Sequence, residues 1–224
     1  MISTIRHQEV FNPETNDHGI TVIGVGAIGS RIFATLVELG LQRLTAYDFD
    51  VVEGHNTANQ LYGTNDINSY KVHALRGWTE NKIGPLGTDS AMTFRNEAVT
   101  PSTKLKGTVF LLVDSLEERR SLFINCIVGN YDVPRVIDVR MAATHGKVFC
   151  FDPHLKADQY LATLGDDSDA EVSACGSPFS VAPTAAVLSN LAVWQFIHAK
   201  TNPAAADEIT NVFLKPLTIT TGPL

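Results

Sequence analysis

Short apolar runs alternate along this chain with longer segments in which apolar residues recur every three or four positions. The first run, Ile20 to Gly24, is rich in β-branched residues and predicts a strand, and the segment from Ile28 to Leu39 predicts the helix that follows it. Further strands are predicted at 44–48, 108–114, 135–141, 146–151 and 212–220, and further helices at 69–82, 115–128 and 182–199. This alternation predicts an α/β fold with a Rossmann-like, mostly parallel sheet and helices on both faces.

The length and the apolar content of the chain suit one domain. With 224 residues and 44% hydrophobic residues, it can bury a sizeable core, so residues 1–224 are expected to form a single domain. Residues 1–19 precede the first strand and predict an N-terminal arm. The segment 152–178 is acidic and lacks a regular apolar pattern, and we expect it to be a mobile crossover loop.

Charge and cysteine content exclude several classes of function. The formal net charge is -7 and the basic residues are scattered, which argues against nucleic acid or an anionic membrane as partner. Cys126, Cys150 and Cys175 lie far apart and form no Cys-x-x-Cys pair, so neither a disulfide framework nor a zinc site is predicted. The most apolar later stretch, 181–197, is interrupted by polar residues and is typical of a buried helix. We therefore expect a cytoplasmic protein.

A glycine-rich turn follows the first predicted strand. Gly24, Gly26 and Gly29 form a Gly-x-Gly-x-x-Gly motif that opens directly into a helix, the arrangement that lets backbone N–H groups approach a phosphate. Asp48 follows the second strand, where an acidic side chain can accept hydrogen bonds from ribose hydroxyls. These features predict a nucleotide site but do not distinguish NAD, FAD and ATP.

The segment after the second strand favours ATP. It carries an unusual number of polar side chains, namely Asp48, Asp50, Asn56, Asn59, Gln60 and Lys71. An ordinary dehydrogenase has no evident use for them. A triphosphate carries several negative charges, and a nearby lysine offsets their repulsion.

Together with the "DSLEER" segment at 114–119, these motifs resemble the ThiF/MoeB/HesA family of the ubiquitin-activating superfamily. That family's common core has a glycine-rich turn, Asp-x-Asp, Asn-x-x-Arg-Gln, a lysine that opens the next helix, and an Asp followed five residues later by Arg. The resemblance covers roughly residues 6–199. The chain is identified as a minimal or diverged bacterial or viral member.

The resemblance implies ATP-dependent adenylation of the C-terminal carboxylate of a small ubiquitin-like or sulfur-carrier protein that ends in glycine, carried out by a homodimer. It implies ATP and Mg²⁺ as cofactors, with Mg²⁺ held by Asp114. The residues that the resemblance assigns to the nucleotide are Gly24, Gly26, Ala27, Gly29, Asp48, Asp50, Asn56, Gln60, Lys71, Asp114 and Ser115.

The resemblance also suggests catalytic residues besides Lys71. Arg6 matches an N-terminal family arginine that reaches into the partner subunit's site, and Cys175 matches a cysteine that takes the acyl group from the adenylate. Asn59 stands where the family has the arginine of Asn-x-x-Arg-Gln and carries no charge. The alternative cations are Arg6, Arg31, Arg119 and Arg120.

Other interpretations stay open at this point. The same glycine turn serves NAD(P)-binding oxidoreductases, and the uncharged Asn59 favours a catalytically weak nucleotide-binding regulatory protein. Ser115 and Glu118 form a capping-box pattern, so Ser115 can cap a helix as well as contact a ligand. Cys175 can also be a small buried apolar residue.

Overall fold

The computed structural model describes residues 2–15, 18–165, 180–203 and 207–224. In these residues the strands are β1 (Ile20–Ile23), β2 (Leu44–Tyr47), β3 (Thr93–Arg95), β4 (Thr108–Leu111), β5 (Arg135–Met141), β6 (His145–Phe151), β7 (Glu208–Leu214) and β8 (Leu217–Pro223). The α-helices are α1 (Gly29–Glu38), α2 (Lys71–Ile83), α3 (Leu116–Leu122), α4 (Ala157–Ala162) and α5 (Ala182–Thr201).

All eight strands form one sheet in the order β3-β2-β1-β4-β5-β6-β7-β8. The five strands from β3 to β5 run parallel, and β6, β7 and β8 continue the sheet antiparallel. Chain order reverses between the neighbours β1 and β4, and the carboxyl ends of the parallel strands meet at one edge there. Ligands of open α/β sheets bind at such a point.

Two apolar cores cover the two faces of the sheet. The central strand β4 shows the division, because Phe110 packs into one core while Val109 and Leu111 pack into the other. Helices α1, α2 and α5 cover the first face, and α3 and α4 cover the second. The predicted Rossmann-like sheet with helices on both faces is therefore confirmed. None of the helices in the described residues is long and apolar enough to cross a membrane.

The observed elements depart from the sequence prediction at two strands. The short strand β3 was not predicted, because three residues are too few to show an alternating pattern. The single strand predicted at 212–220 is wrong: β7 and β8 form an antiparallel hairpin instead. Pro216 lies in the turn between them, where its missing N–H does not interrupt the ladder.

The segment 152–178 is only partly the irregular loop that its composition predicts. Residues Ala157–Ala162 form α4, and Tyr160 is fully buried against the rings of Phe123 and Phe151. The prediction of an irregular loop is wrong for this part, because one buried aromatic residue anchors a helix that is too short to show a periodic pattern. Residues 166–178, which include Cys175, lie outside the described residues.

The N-terminal arm packs against its own chain. Phe11 is buried and its ring meets that of Phe196 in α5 edge-on, with centroids 5.7 Å apart. The imidazole Nε2 of His7 lies 3.2 Å from the carbonyl oxygen of Leu39, just beyond the C-terminal end of α1. This contact places the arm at the end of α1 that is far from the glycine turn.

A buried ionic network holds the carboxyl end of β4 in place. The guanidinium of Arg119 donates to the Asp138 carboxylate and to the carbonyl oxygens of Leu111 and Val113. Asp138 also accepts hydrogen bonds from Arg140, at 2.9 Å, and from the hydroxyl of Tyr160, at 3.0 Å. Because Asp138 is fully buried, these donors replace the water that its charge has lost.

Substitution of single members of this network tests how much it contributes to the free energy of unfolding. We expect Arg119→Met to lower the free energy of unfolding by about 3 to 5 kcal/mol, because the variant leaves a buried carboxylate without its main partner. Tyr160→Phe removes one hydrogen bond and should cost about 1 kcal/mol. The matched control Arg76→Met alters only a half-exposed pair with Glu80, so it should change stability by less than about 0.5 kcal/mol. Urea unfolding monitored by circular dichroism measures all three, and equal values for Arg119→Met and Arg76→Met would contradict the assignment.

Candidate active site

The glycine turn lies between the carboxyl ends of β1 and β4, and its three glycines have different roles. Gly24 has a φ of +86°, and a Cβ there would lie 2.8 Å from the carbonyl oxygen of Leu112. A Cβ on Gly29 would lie 1.9 Å from the carbonyl oxygen of Gly24, so the turn closes only without that side chain. No atom of the described residues lies within 4 Å of a Cβ built on Gly26. The turn therefore packs tightly against backbone at Gly24 and Gly29 and leaves space at Gly26. Such space is what backbone N–H groups need to approach a phosphate.

Asp48 holds this turn against the end of β2. One carboxylate oxygen accepts a hydrogen bond of 2.8 Å from the backbone N–H of Val25, and the other accepts one of 2.8 Å from the N–H of Asp50. Burial raises the pKa of Asp48 above its ordinary value, against the opposing effects of the Lys71 charge and these two hydrogen bonds. Asp48 thus has a structural role in the turn besides the ribose contact that its position predicts.

Two residues that the sequence did not point to also anchor the turn. The buried hydroxyl of Tyr62 donates to the carbonyl oxygen of Val25 at 2.7 Å. The Ser30 hydroxyl donates to the carbonyl oxygen of Gly26 at 2.7 Å and accepts the N–H of Leu61 at 3.2 Å. No spacing or motif marks Tyr62, because its contact depends on how the loop folds back over the turn.

Lys71 is the cation that the structure places most firmly at this edge. It is the first residue of α2, its side chain is only 10% exposed, and its ammonium lies 2.7 Å from the Asp50 carboxylate. Its backbone N–H donates to the carbonyl oxygen of Asp50, next to a bridge between Val51 and Tyr70. The first turn of α2 contains no acidic residue, so Asp50 supplies the negative charge that this helix N-terminus favours.

Asn56 lies in the loop between these two segments, within the 3-10 turn Gly54–Ala58. It is buried, and its amide oxygen accepts the N–H of Glu53 at 2.9 Å. This bond fixes the orientation of the amide. Among the described residues the Asn56 side chain forms this one hydrogen bond, through Oδ1, so its Nδ2 is available to an acceptor from outside.

Asn59, Gln60 and Arg31 meet beside the glycine turn. The Arg31 guanidinium lies 3.5 Å from the carbonyl oxygen of Asn59, and the Asn59 amide donates to the carbonyl oxygen of Ser180 at 3.3 Å. Three side-chain atoms of this group are buried without a hydrogen-bond partner among the described residues: Arg31 Nε, Asn59 Oδ1 and Gln60 Oε1. Buried polar atoms of this kind normally find partners, so the group is incomplete within the described residues.

Asp114 and Ser115 follow β4 at the same edge. The Ser115 hydroxyl accepts the N–H of Glu118 at 3.2 Å, which confirms its predicted role as the cap of α3. Asp114 itself is exposed. Burial raises the pKa of Glu118, and the charges of Asp114, Asp50 and Asp48 raise it further, so these four carboxyl groups lie in one electrostatic field. Sequence reasoning treated Glu118 only as a capping residue.

This acidic edge fits Mg²⁺ held jointly with a nucleotide better than a cation held by protein alone. No group of three or more His, Cys, Asp or Glu residues in the described residues is arranged to hold a metal. Mg²⁺ is commonly bound through one or two carboxylates together with phosphate oxygens and water. Asp114 is an exposed carboxylate of this type. The pKa of Glu118 beside it is raised mainly by burial and further by the charges of Asp114, Asp50 and Asp48.

Several predicted site residues lie elsewhere or cannot be placed. Arg119 and Arg120 are not at the phosphate position: Arg119 is bound to Asp138, and Arg120 donates to the carbonyl oxygen of Leu164. Arg6 is exposed in the arm, near the far end of α1, so it cannot reach the glycine turn of its own chain. Ala27 lies within the turn itself. The Cys175 thiol lies outside the described residues.

A sequence profile and several solved structures match this chain. The sequence profile described as the ThiF family matches residues 13–220, which include the glycine turn, Lys71 and Asp114. A comparison with curated protein sequences gave no match.

Solved structures with the same fold align over almost the whole chain. E. coli MccB with ATP is 13% identical, with 98% of this chain and 65% of that chain covered and a TM-score of 0.68. E. coli MccB with MccA is 13% identical, with 98% and 67% covered and a TM-score of 0.71. PaaA is 15% identical, with 97% and 67% covered and a TM-score of 0.66. The present chain therefore spans about two thirds of their length.

The different roles of the three glycines can be tested by adding one methyl group. Gly26→Ala should fold normally, since its methyl meets no atom in the part of the chain that the structure describes. The Kd for ATP should nevertheless rise about tenfold, because the methyl projects where the backbone approaches phosphate. Gly29→Ala should lower the free energy of unfolding by about 2 to 4 kcal/mol, because its Cβ collides with the Gly24 carbonyl. Thermal melts and calorimetric ATP titration measure both, and normal ATP binding by Gly26→Ala would contradict this role of Gly26.

Proposed function

Since the chain belongs to the ThiF family, we propose that it is an ATP-dependent adenylyltransferase. Its substrate is the C-terminal carboxylate of a small ubiquitin-like or sulfur-carrier protein, or of a peptide. The observation that carries the proposal is the ion pair between buried Lys71 and Asp50, which fixes an ammonium group at the strand edge that also holds the glycine turn and Asp114.

The reaction is an in-line displacement at the α-phosphorus of ATP. A carboxylate oxygen of the carrier attacks that phosphorus, the bond to the bridging oxygen of pyrophosphate breaks, and the products are an acyl-adenylate and pyrophosphate. Catalysis of this type depends on positioning and on fixed positive charge. In this chain the N–H groups from Gly26 to Gly29 face the phosphates, Asp48 accepts from the ribose, and Lys71 and Asn56 contact phosphate oxygens.

Mg²⁺ would offset phosphate charge when bound, and Asp114 is the residue that would hold it. Asp50 has a positioning role, because its bond of 2.7 Å keeps the Lys71 ammonium at the edge of the sheet. We also propose a homodimer in which Arg6 extends to the partner's site. Its distance from the glycine turn of its own chain supports this arrangement.

An NAD(P)-binding oxidoreductase is the less suitable alternative. It would use the glycine turn and Asp48, but it would leave the buried ammonium of Lys71 and the fixed amide of Asn56 without a ligand group to contact. Two titrations of the protein distinguish these functions, one with NADH followed by its fluorescence and one with ATP. NADH binding without ATP binding would overturn the adenylyltransferase proposal.

Pyrophosphate exchange tests the proposed reaction directly. Small carrier proteins ending in Gly-Gly and short peptides with a free C-terminus are incubated with the protein, Mg²⁺, ATP and labelled pyrophosphate. Label should enter ATP with an accepted carboxylate and not with the same acceptor carrying a C-terminal amide. If the chain bound ATP but no free-carboxylate acceptor supported exchange, the catalytically weak regulatory protein would be the better description.

Variants of Lys71 and Asp114 test the roles assigned to the two charges. Lys71→Met should slow pyrophosphate exchange by about 100-fold or more and weaken ATP binding more than AMP binding, because the lost charge faces the outer phosphates. Asp114→Asn should abolish Mg²⁺-dependent exchange while leaving AMP binding unchanged. Equal losses of ATP and AMP binding in Lys71→Met would indicate a structural lysine.

Cys175 is proposed as the nucleophile of a second step. Its thiolate attacks the acyl carbon of the adenylate, a thioester forms, and AMP leaves. We expect Cys175→Ser to retain pyrophosphate exchange and to lose the covalent enzyme–carrier adduct seen by mass spectrometry under non-reducing conditions. The matched control is Cys126→Ser, which alters a buried thiol whose pKa burial raises. An unchanged adduct in Cys175→Ser would exclude this cysteine.

A further inference from the structure

Arg31 is a cation in the first turn of α1, two residues after Gly29. That turn contains no acidic residue, and no carboxylate in the described ranges forms an ion pair with Arg31. The N-terminus of a helix carries a partial positive charge, so a second positive charge there is unfavourable unless an anion is bound. The position of Arg31 thus points to a negatively charged ligand.

The surroundings of Arg31 place it between the glycine turn and the loop that follows β2. Its neighbour Ser30 bonds both the Gly26 carbonyl and the N–H of Leu61, so these two segments are in contact beside it. The guanidinium lies against residue 59, with Nη2 3.5 Å from the Asn59 carbonyl oxygen. This is the residue at which the sequence departs from the arginine of the Asn-x-x-Arg-Gln motif.

The Asn59 side chain does not fill the role of a charged group. Its amide turns to the carbonyl oxygen of Ser180, 3.3 Å away, and its buried Oδ1 has no partner among the described residues. Arg31 Nε is likewise buried without an acceptor in that part of the chain. A hydrogen bond of 3.5 Å is at the outer limit of such bonds, so the contact with the Asn59 carbonyl is a weak use of a guanidinium.

We propose that Arg31 binds the outer phosphates of ATP and so replaces the charge that is missing at position 59. The guanidinium presents several N–H donors in a planar fork that matches phosphate oxygens, and it is always charged. This inference rests on the proposed adenylyltransferase function. It makes Arg31 a substrate-binding residue, with the positive charge supplied from α1 and not from the loop.

The alternative is that Arg31 only ties α1 to the loop. A tie of that kind would affect stability, and it would affect the binding of every nucleotide equally. Contact with the outer phosphates would instead affect ATP and inorganic tripolyphosphate while leaving AMP unchanged. The two roles therefore differ in a binding measurement that needs no carrier protein.

The experiment compares the full-length wild-type chain with Arg31→Gln, Arg31→Lys, Asn59→Arg and the double variant Arg31→Gln/Asn59→Arg. Calorimetry measures the Kd for Mg-ATP, tripolyphosphate and AMP, and thermal melts check folding. The matched control Arg76→Gln removes a guanidinium that pairs with Glu80 on the surface of α2. Arg31→Gln should raise the Kd for ATP and for tripolyphosphate about 10- to 100-fold, the range expected for loss of a charge-assisted hydrogen bond. The Kd for AMP should change less than about twofold.

Rescue gives the decisive comparison. Arg31→Lys should retain part of the ATP affinity, and the double variant should recover most of it, because the charge returns from position 59. Unchanged ATP binding in Arg31→Gln, equal losses for ATP and AMP, or no recovery in the double variant would overturn the role of Arg31 while leaving the adenylyltransferase proposal intact. Absence of ATP binding by the wild-type chain would overturn both.

Discussion

The carboxylate of Asp48 is the interaction on which the candidate site depends. Its two oxygens accept backbone N–H groups from Val25 and Asp50, and so join the turn after β1 to the end of β2. A partly buried carboxylate is stable only with such donors, because burial alone raises its pKa and favours the neutral form. Tyr62 also donates to the Val25 carbonyl, so the turn is held in place before any ligand binds. Preorganisation of this kind lowers the cost of ligand binding.

Charge is distributed unevenly around this turn, and this distribution supports the ligand proposed for the site. Acidic groups gather at the ends of β2 and β4, where Asp50, Asp114 and Glu118 lie in one field. The cations Lys71 and Arg31 each lie at the start of a helix that lacks its own acidic residue in the first turn. Carboxylates suit a hard cation and helix N-termini suit an anion. A magnesium-bound polyphosphate offers both charges at once.

The sequence predicted those parts of the fold that local patterns encode. The buried strands and the longer helices follow from apolar periodicity, and the glycine turn follows from three residues at fixed spacing. The three-residue β3 and the helix around Tyr160 were missed, because each is stabilised by contacts with distant segments. The hairpin β7–β8 was missed as well, and its first strand pairs with the distant β6. In the same way, Arg119 has a motif position but its partner Asp138 is 19 residues away, so its burial could not be read from the chain.

The sequence by itself determined the fold class, the glycine-rich turn and the acidic and amide residues that accompany it, because these depend on residue type and spacing. Only the tertiary structure decided which arginine lies beside the turn. Three arginines look alike in the sequence as isolated cations. In the fold, Arg119 is buried against Asp138, Arg120 donates to the Leu164 carbonyl oxygen, and Arg31 contacts the Asn59 carbonyl oxygen. The physical reason is that a guanidinium is placed by its acceptors, and acceptors from separate segments come together only when the chain is folded.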